Sequence, residues 1–152
     1  MRLRVFGNNS DDKGAQLEQL TSRLLRRLGY RDIATNVVGS GGSEVDVHGE
    51  LLLPSIHAGD RLHLIAECKA LESPITLPDW LKFLGKIFTE RTRGSSQVRG
   101  ILIALSGANG NVTGAVAEFN TADTSVELIT GDRLADIVVE EFSLPGIERA
   151  LS

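Results

Sequence analysis

The chain is poor in the residues that staple, stiffen or anchor small proteins. It has a single cysteine, Cys68, so neither an internal disulfide nor a multi-cysteine zinc site can form. Aromatic residues are only 5% of the total, and Trp80 and Phe83 sit where core packing is a better reading than a base-stacking platform. No apolar run reaches membrane-spanning length, and "MRLRVFGNNSDDKG" has no apolar segment of signal-peptide type. The expectation is a cytoplasmic protein with no membrane partner. Basic residues are not in excess either. The formal net charge of −4 speaks against a dedicated nucleic-acid binder, for which a basic domain is expected, although local patches matter more than the sum. There is no internal repeat, no low-complexity segment and no linker long enough to divide residues 1–152, which read as a single domain.

What remains is an ordinary globular composition, 41% hydrophobic and 24% charged over 152 residues, enough for one compact domain with a core. "DDKGAQLEQLTSRLLRRLGY" reads as a helix, with Leu17, Leu20, Leu24, Leu25 and Leu28 on one face and Gly29 as its stop. "DIATNVV" is a short strand. "SEVDVHGELLL" alternates, placing Val45, Val47, Leu51 and Leu53 on one face and Glu44, Asp46, His48 and Glu50 on the other. "RLHLIAECKA" follows after a turn-rich loop, with Leu62, Leu64, Ala66 and Cys68 opposed to His63, Ile65, Glu67 and Lys69. "LPDWLKFLGKIFTERTR" is helical from near Pro78, with Trp80, Leu81, Leu84, Ile87 and Phe88 at helical spacings. "GILIALSG" reads as a strand buried on both faces. A weaker helix, the strand "SVELIT" and a helix over "GDRLADIVVEEF", with Asp132 as its candidate N-cap, complete the order αβββαβαβα. The fold class is α/β, of mixed α+β type. An antiparallel start is followed by right-handed parallel crossovers, giving a mixed sheet flanked by helices.

The segment "IAECKA" places Glu67 and Lys69 on one side of an otherwise apolar strand. If the two preceding strands form a hairpin centred near His57, Asp46 falls opposite Cys68, or opposite Glu67 after a slip of one. Asp46, Glu67 and Lys69 then converge at one end of the hairpin. Two carboxylates supply hard oxygen ligands for Mg²⁺, which lowers the pKa of a water and neutralises phosphoryl charge. Lys69 can orient or help deprotonate that water, and the backbone carbonyl of Cys68 is a further ligand candidate. The alternative reading of a lone E-x-K is a surface salt bridge, against which stand the apolar strand and the aspartate at hairpin distance.

These segments together resemble the restriction-endonuclease-like superfamily, PD-(D/E)xK, and in particular its Mrr-like catalytic domains. "GAQLEQLTSRLLRRLGY" resembles the first helix with its embedded glutamate, "GGSEVDVHGE" the glycine-rich approach to the motif aspartate, and "IAECKA" the E-x-K strand. "ITLPDWLKFLGKI", "GILIALSGAN" and "VELITGDRLADIV" resemble the elements that follow. Val45 stands where the family name has proline, and this chain keeps glutamate where many Mrr-like members have glutamine. The resemblance implies an endonuclease that hydrolyses DNA phosphodiesters with Mg²⁺, or Mn²⁺ in its place, in defence against foreign DNA. Asp46 and Glu67 would hold the ion, Lys69 would act on the water, and Glu18 would be an auxiliary carboxylate. By helix geometry alone Glu18 is equally a first-turn carboxylate favoured by the helix dipole.

No winged-helix or other recognition domain is visible, so the expected partners besides DNA are a second copy of the chain or a fused or separate recognition domain. The alternatives are an RNA-directed nuclease and a non-catalytic binding module on the same fold. Lys82 and Lys86 share a helix face and are candidate phosphate contacts, with a solvated face as the other reading. Ser106 opens "SGANGNVTG", a turn near the expected nucleic-acid groove that lacks the P-loop lysine. His48, His57 and His63 show no zinc spacing. Cys68 points away from Glu67 and Lys69 and reads as small buried filler.

Overall fold

The computed structural model describes residues 9–38, 44–53, 61–92, 97–119 and 124–142. Their order is α1 (Ser10–Arg27), β1 (Arg31–Val38), β2 (Glu44–Leu52), β3 (Arg61–Lys69), α2 (Leu77–Thr92), β4 (Gln97–Ala104), α3 (Gly110–Phe119), β5 (Thr124–Thr130) and α4 (Gly131–Phe142). This is the succession that the hydrophobic patterns predict. Among these residues no helix is long and apolar enough to cross a membrane. His57 lies outside the described residues.

The five strands form one sheet in sequence order, β1-β2-β3-β4-β5. β1 to β3 pair antiparallel, and β3, β4 and β5 run parallel. Central β4 is hydrogen-bonded on both edges and covered on both faces, which is why its sequence is a continuous apolar run rather than an alternating one. Helices α1 and α4 cover one face through Leu17, Leu24, Leu25 and Leu134, packed on Val47, Leu64, Ala66, Cys68, Ile101 and Ile103. Helices α2 and α3 cover the other through Trp80, Phe83, Ile87, Val112 and Val116, packed on Ile65, Val98, Leu102 and Ala104. Trp80 and Phe83 are buried, as core packing requires.

The helix ends follow from local chemistry. Asn9 caps α1 by accepting the Asp12 N–H at 2.9 Å, satisfying one of the donors a helix start leaves open. At the other end Gly29 adopts φ +99°. Its N–H donates to the Arg26 carbonyl and that of Tyr30 to the Leu25 carbonyl. This is a Schellman closure, which needs a left-handed residue that glycine supplies without strain. Before α2, the Thr76 N–H and hydroxyl both donate to Asp79 Oδ2 at 3.0 Å.

Several sequence expectations are corrected. Leu28 is 46% exposed, because α1 ends one residue earlier and the chain turns away. Leu81 and Phe88 are more than half exposed, since the buried stripe of α2 runs through Trp80, Phe83 and Ile87. Val45 packs against the α2–α3 core, not with Val47, so β2 departs from strict alternation at its start. Asp132 lies inside the first turn of α4, which begins at Gly131. In β1 the register shifts between Arg31 and Ala34, and Asp32 and Asn36 take φ of 52° and 53°.

Helix α2 approaches β4 closely at Gly100. A Cβ there would meet Ile87 Cδ1 at 2.8 Å and the Phe83 ring at 3.1 Å. Gly100→Val should therefore overpack this interface and destabilise the domain by about 1–3 kcal/mol, read as a lower urea midpoint with unchanged denaturant slope.

Candidate active site

The antiparallel ladder between β2 and β3 places Val47 opposite Ala66 as its last pair. The same register continued by one residue sets Asp46 beside Glu67, which is the second of the two pairings the hairpin allows. At this point β2 leaves the ladder. The Asp46 side chain replaces a backbone rung by accepting the Cys68 N–H through Oδ2 at 2.8 Å. One carboxylate oxygen is thereby fixed on the backbone between Glu67 and Lys69.

Glu67 is buried, with 7% of its surface exposed. An ionised carboxylate in that position needs compensation, and two ammonium groups provide it. Lys69 Nζ lies 3.1 Å from Oε1, and Lys86 Nζ, from α2, donates to Oε2 at 2.7 Å. Lys69 reaches Glu67 because residues two apart on a strand share a face. Lys86 reaches it because α2 packs directly on that face of the sheet.

The electrostatics tie a fourth residue to this centre. Burial raises the Asp46 carboxyl above its usual range; the Cys68 N–H opposes the shift and the Glu67 charge adds to it. Burial also raises Glu18 on α1, with the charges of Asp46, Glu44 and Glu67 adding and a hydrogen bond with the Asn36 side chain opposing. Glu18 thus feels the charge of the β2–β3 carboxylates, and both Asp46 and Glu18 hold a proton more readily than they would in water. For Lys69 burial favours the neutral amine, but the adjoining Glu67 outweighs it and the net shift is upward. Lys69 is a persistent cation in this arrangement.

Asp46, Glu67, Lys69 and Glu18 therefore share one electrostatic centre, with the Cys68 backbone running through it. Lys86, read from the sequence as a candidate phosphate contact on a helix face, has its ammonium on Glu67 inside that centre. No sequence signal distinguishes it from Lys82, one turn earlier and exposed on α2; only the packing angle of the helix does. Ser106 donates its hydroxyl to the Leu71 carbonyl at 2.6 Å, joining the turn after β4 to the segment after β3. The Cys68 side chain points to the opposite face, where Sγ lies 3.5 Å from Thr21 Oγ1.

The donor set suits a hard divalent cation. It offers carboxylate oxygens on three backbone elements, two of them raised by burial and by neighbouring carboxylate charge, a repulsion that a bound cation would relieve.

A family profile described as restriction endonuclease, Mrr_cat, matches residues 11–138. A comparison with curated protein sequences yields no match. Among solved structures, the DNA modification-dependent restriction endonuclease AspBHI aligns with TM-score 0.58 at 13% identity, over 91% of this chain and 37% of that one. A protein of unknown function, AF1548, aligns with TM-score 0.53 at 14% identity, over 78% of this chain and 63% of that one. A structure of an EndoMS–dsDNA complex aligns with TM-score 0.52 at 15% identity, over 75% and 44% of the respective chains. At such identities the likeness is one of fold. The chain spans between 37% and 63% of the length of these three chains.

Burial pushes the Cys68 thiol up to about 12, so the reactive thiolate is scarce at any pH the fold tolerates. Cys68 should resist Ellman's reagent in native protein from pH 7 to 9. It should react at once when the chain is unfolded in guanidinium. Rapid labelling of native protein would show that the α1 face is not closed over it.

Proposed function

The chain belongs to the Mrr_cat restriction endonuclease family, and on that premise we propose that its carboxylate–lysine centre is the active site of a metal-dependent endonuclease acting on DNA. The observation that carries this reading is Glu67, a buried carboxylate held between two lysines, with Asp46 fixed beside it. A purely structural sheet would place an apolar side chain there at lower cost. The structural neighbours support DNA as the substrate, one being a DNA modification-dependent restriction endonuclease and one an EndoMS–dsDNA complex.

In the proposed reaction Asp46 and Glu67 would hold a divalent cation, Mg²⁺ or Mn²⁺, with Glu18 as an auxiliary ligand and the Cys68 carbonyl as a further one. The ion, when bound, acidifies a water and neutralises charge on the phosphoryl group. Asp46 keeps one oxygen on the Cys68 N–H and offers the other. Lys69, a cation on the same strand face, orients the attacking water and stabilises charge developing on the phosphoryl oxygens. The water oxygen bonds to phosphorus as one phosphorus–oxygen ester bond breaks, leaving a phosphate monoester and a free hydroxyl. Lys86 holds Glu67 Oε2 and, beside a bound ion, would be placed to contact a phosphate. Lys82, exposed one turn away, and Ser106, at the turn after β4, are further nucleic-acid contacts in this reading.

Residues 1–152 act as a single nuclease domain in this proposal, working as a homodimer or with a fused or separate recognition domain. Its biological setting is defence against foreign DNA in the cytoplasm.

The full chain should nick supercoiled plasmid with Mg²⁺ or Mn²⁺ and lose roughly 10²-fold or more of that activity in Asp46→Ala and in Lys69→Ala, with melting showing both variants folded. Equal cleavage by wild type and variants would remove these residues from the site. A chain that binds plasmid in salt-dependent fashion but never nicks it with either ion would show a binding module instead.

A further inference from the structure

Further along the sheet face that carries Glu67 lies a second polar cluster that the nuclease reading does not use. The β2–β3 register sets His48 opposite Ile65 and Glu50 opposite His63, so His48 and His63 are diagonal neighbours under α2. Their ring centroids lie 6.2 Å apart. Glu90, one helical turn beyond Lys86, brings Oε1 to 3.4 Å from His48 Nε2. One ligand atom from each of His48, His63 and Glu90 lies within 4.8 Å of the other two, and all three side chains are half-buried. From His63 to Glu67 is four residues along β3, roughly 13 Å, and from His48 to Asp46 two along β2, roughly 7 Å, so the two clusters are neighbours that share no ligand.

A plain histidine–glutamate contact leaves one atom unexplained. His63 Nδ1 is buried and makes no hydrogen bond. The nearest carboxylate, Glu50 Oε1, stands 3.6 Å away, outside good hydrogen-bond range. Glu50 is itself held by Arg61, whose Nη1 donates to Oε2 at 2.9 Å. This is the layout of a liganding histidine with a carboxylate behind it. Such a carboxylate accepts a hydrogen bond from one ring N–H and directs the other nitrogen to an ion.

We propose that His48, His63 and Glu90 bind a divalent transition ion of the zinc class. Two imidazole nitrogens and one carboxylate oxygen favour a borderline ion over Mg²⁺, which selects an all-oxygen shell. Tetrahedral zinc with bonds of about 2.0–2.1 Å holds its ligand atoms roughly 3.3 Å apart. The His48–Glu90 pair already has that spacing, and the remaining closure is a matter of side-chain rotation. Three protein ligands leave a fourth position for water. Because Glu90 comes from α2 and both histidines from the hairpin, the ion would pin α2 to the sheet one turn from Lys86. Its role is to fix the helix that supplies Lys86 to Glu67.

The test uses the full chain titrated with Co²⁺, followed by its visible d–d absorption, and with Zn²⁺, followed by calorimetry and melting. The expected result is one ion bound with a Co²⁺ d–d spectrum and displaced by Zn²⁺, with the melting temperature raised; any further equivalent, held by the Asp46–Glu67 centre, is absent in Asp46→Ala. Asp46→Ala should keep the Co²⁺ spectrum and the zinc-induced rise in melting temperature, because Asp46 is none of the three ligands. His63→Gln and Glu90→Gln should lose the Co²⁺ spectrum and the zinc-induced rise in melting temperature. Glu50→Gln, which leaves all three ligands in place, should weaken binding roughly 10–100-fold and decides the matter if a ligand variant fails to fold. Unchanged affinity in Glu50→Gln and Glu90→Gln, loss of binding in Asp46→Ala alone, or no binding by wild type would each overturn the site. None of these readouts depends on plasmid cleavage, so they stand whether or not the nuclease reading does.

Discussion

The pairing of Glu67 with Lys69 and Lys86 is the constraint around which the domain is arranged. Burying an unpaired carboxylate costs several kcal/mol, and no residue on β3 alone could supply both of its oxygens with a cation. Lys69 comes without effort, from strand alternation. Lys86 requires α2 to lie across the sheet at one height and one rotation. That is why β4 carries a glycine under Phe83 and Ile87, and why the inner stripe of the helix is large and aromatic while Leu81 and Phe88 face outward. The packing of the α2 layer and the charge balance of the site are therefore one problem with one solution.

The same centre sets stability against chemistry. Asp46 and Glu18 are both raised by burial and by neighbouring negative charge. A domain optimised for stability alone would not gather them, and local conflicts of this kind mark functional sites. The backbone shows the same tension. Asp46 satisfies the Cys68 N–H with its side chain, where regular pairing would have used a carbonyl. The end of the β2–β3 ladder is opened, and the opening is stabilised by the residue that needs it.

Much of this was legible in the sequence, for identifiable reasons. The leucine stripe of α1, the unbroken apolar run of β4 and the alternation of β3 each report a local environment directly, and together they yield the element order. Glu67 and Lys69 stand out because charge is costly in such a strand. The position of Asp46 was legible only to within one residue, because the loop that fixes the hairpin register does not state its own geometry. Other features depend on relations between elements that have no period to read. The reversed facing of Val45 comes from β2 leaving the ladder. The early end of α1 at Leu28 comes from the Schellman closure. Lys86 is distinguished from Lys82 only by where α2 sits. His48 and His63 lack zinc spacing in the sequence because their proximity is made by strand pairing, and their third neighbour comes from a helix.

The irregularity of β1 bears on how such a sheet stays discrete. Among the described residues β1 is an outer strand with β2 on its inner side, and an outer strand offers a row of backbone groups to which another chain can add. In β1 that row is interrupted. Asp32 and Asn36 both adopt left-handed backbone angles and the register slips between Arg31 and Ala34, so its amides and carbonyls do not point outward in an unbroken series. A passing strand finds no continuous template there. The kinks that make this strand look imperfect thus work against edge-to-edge strand addition along β1.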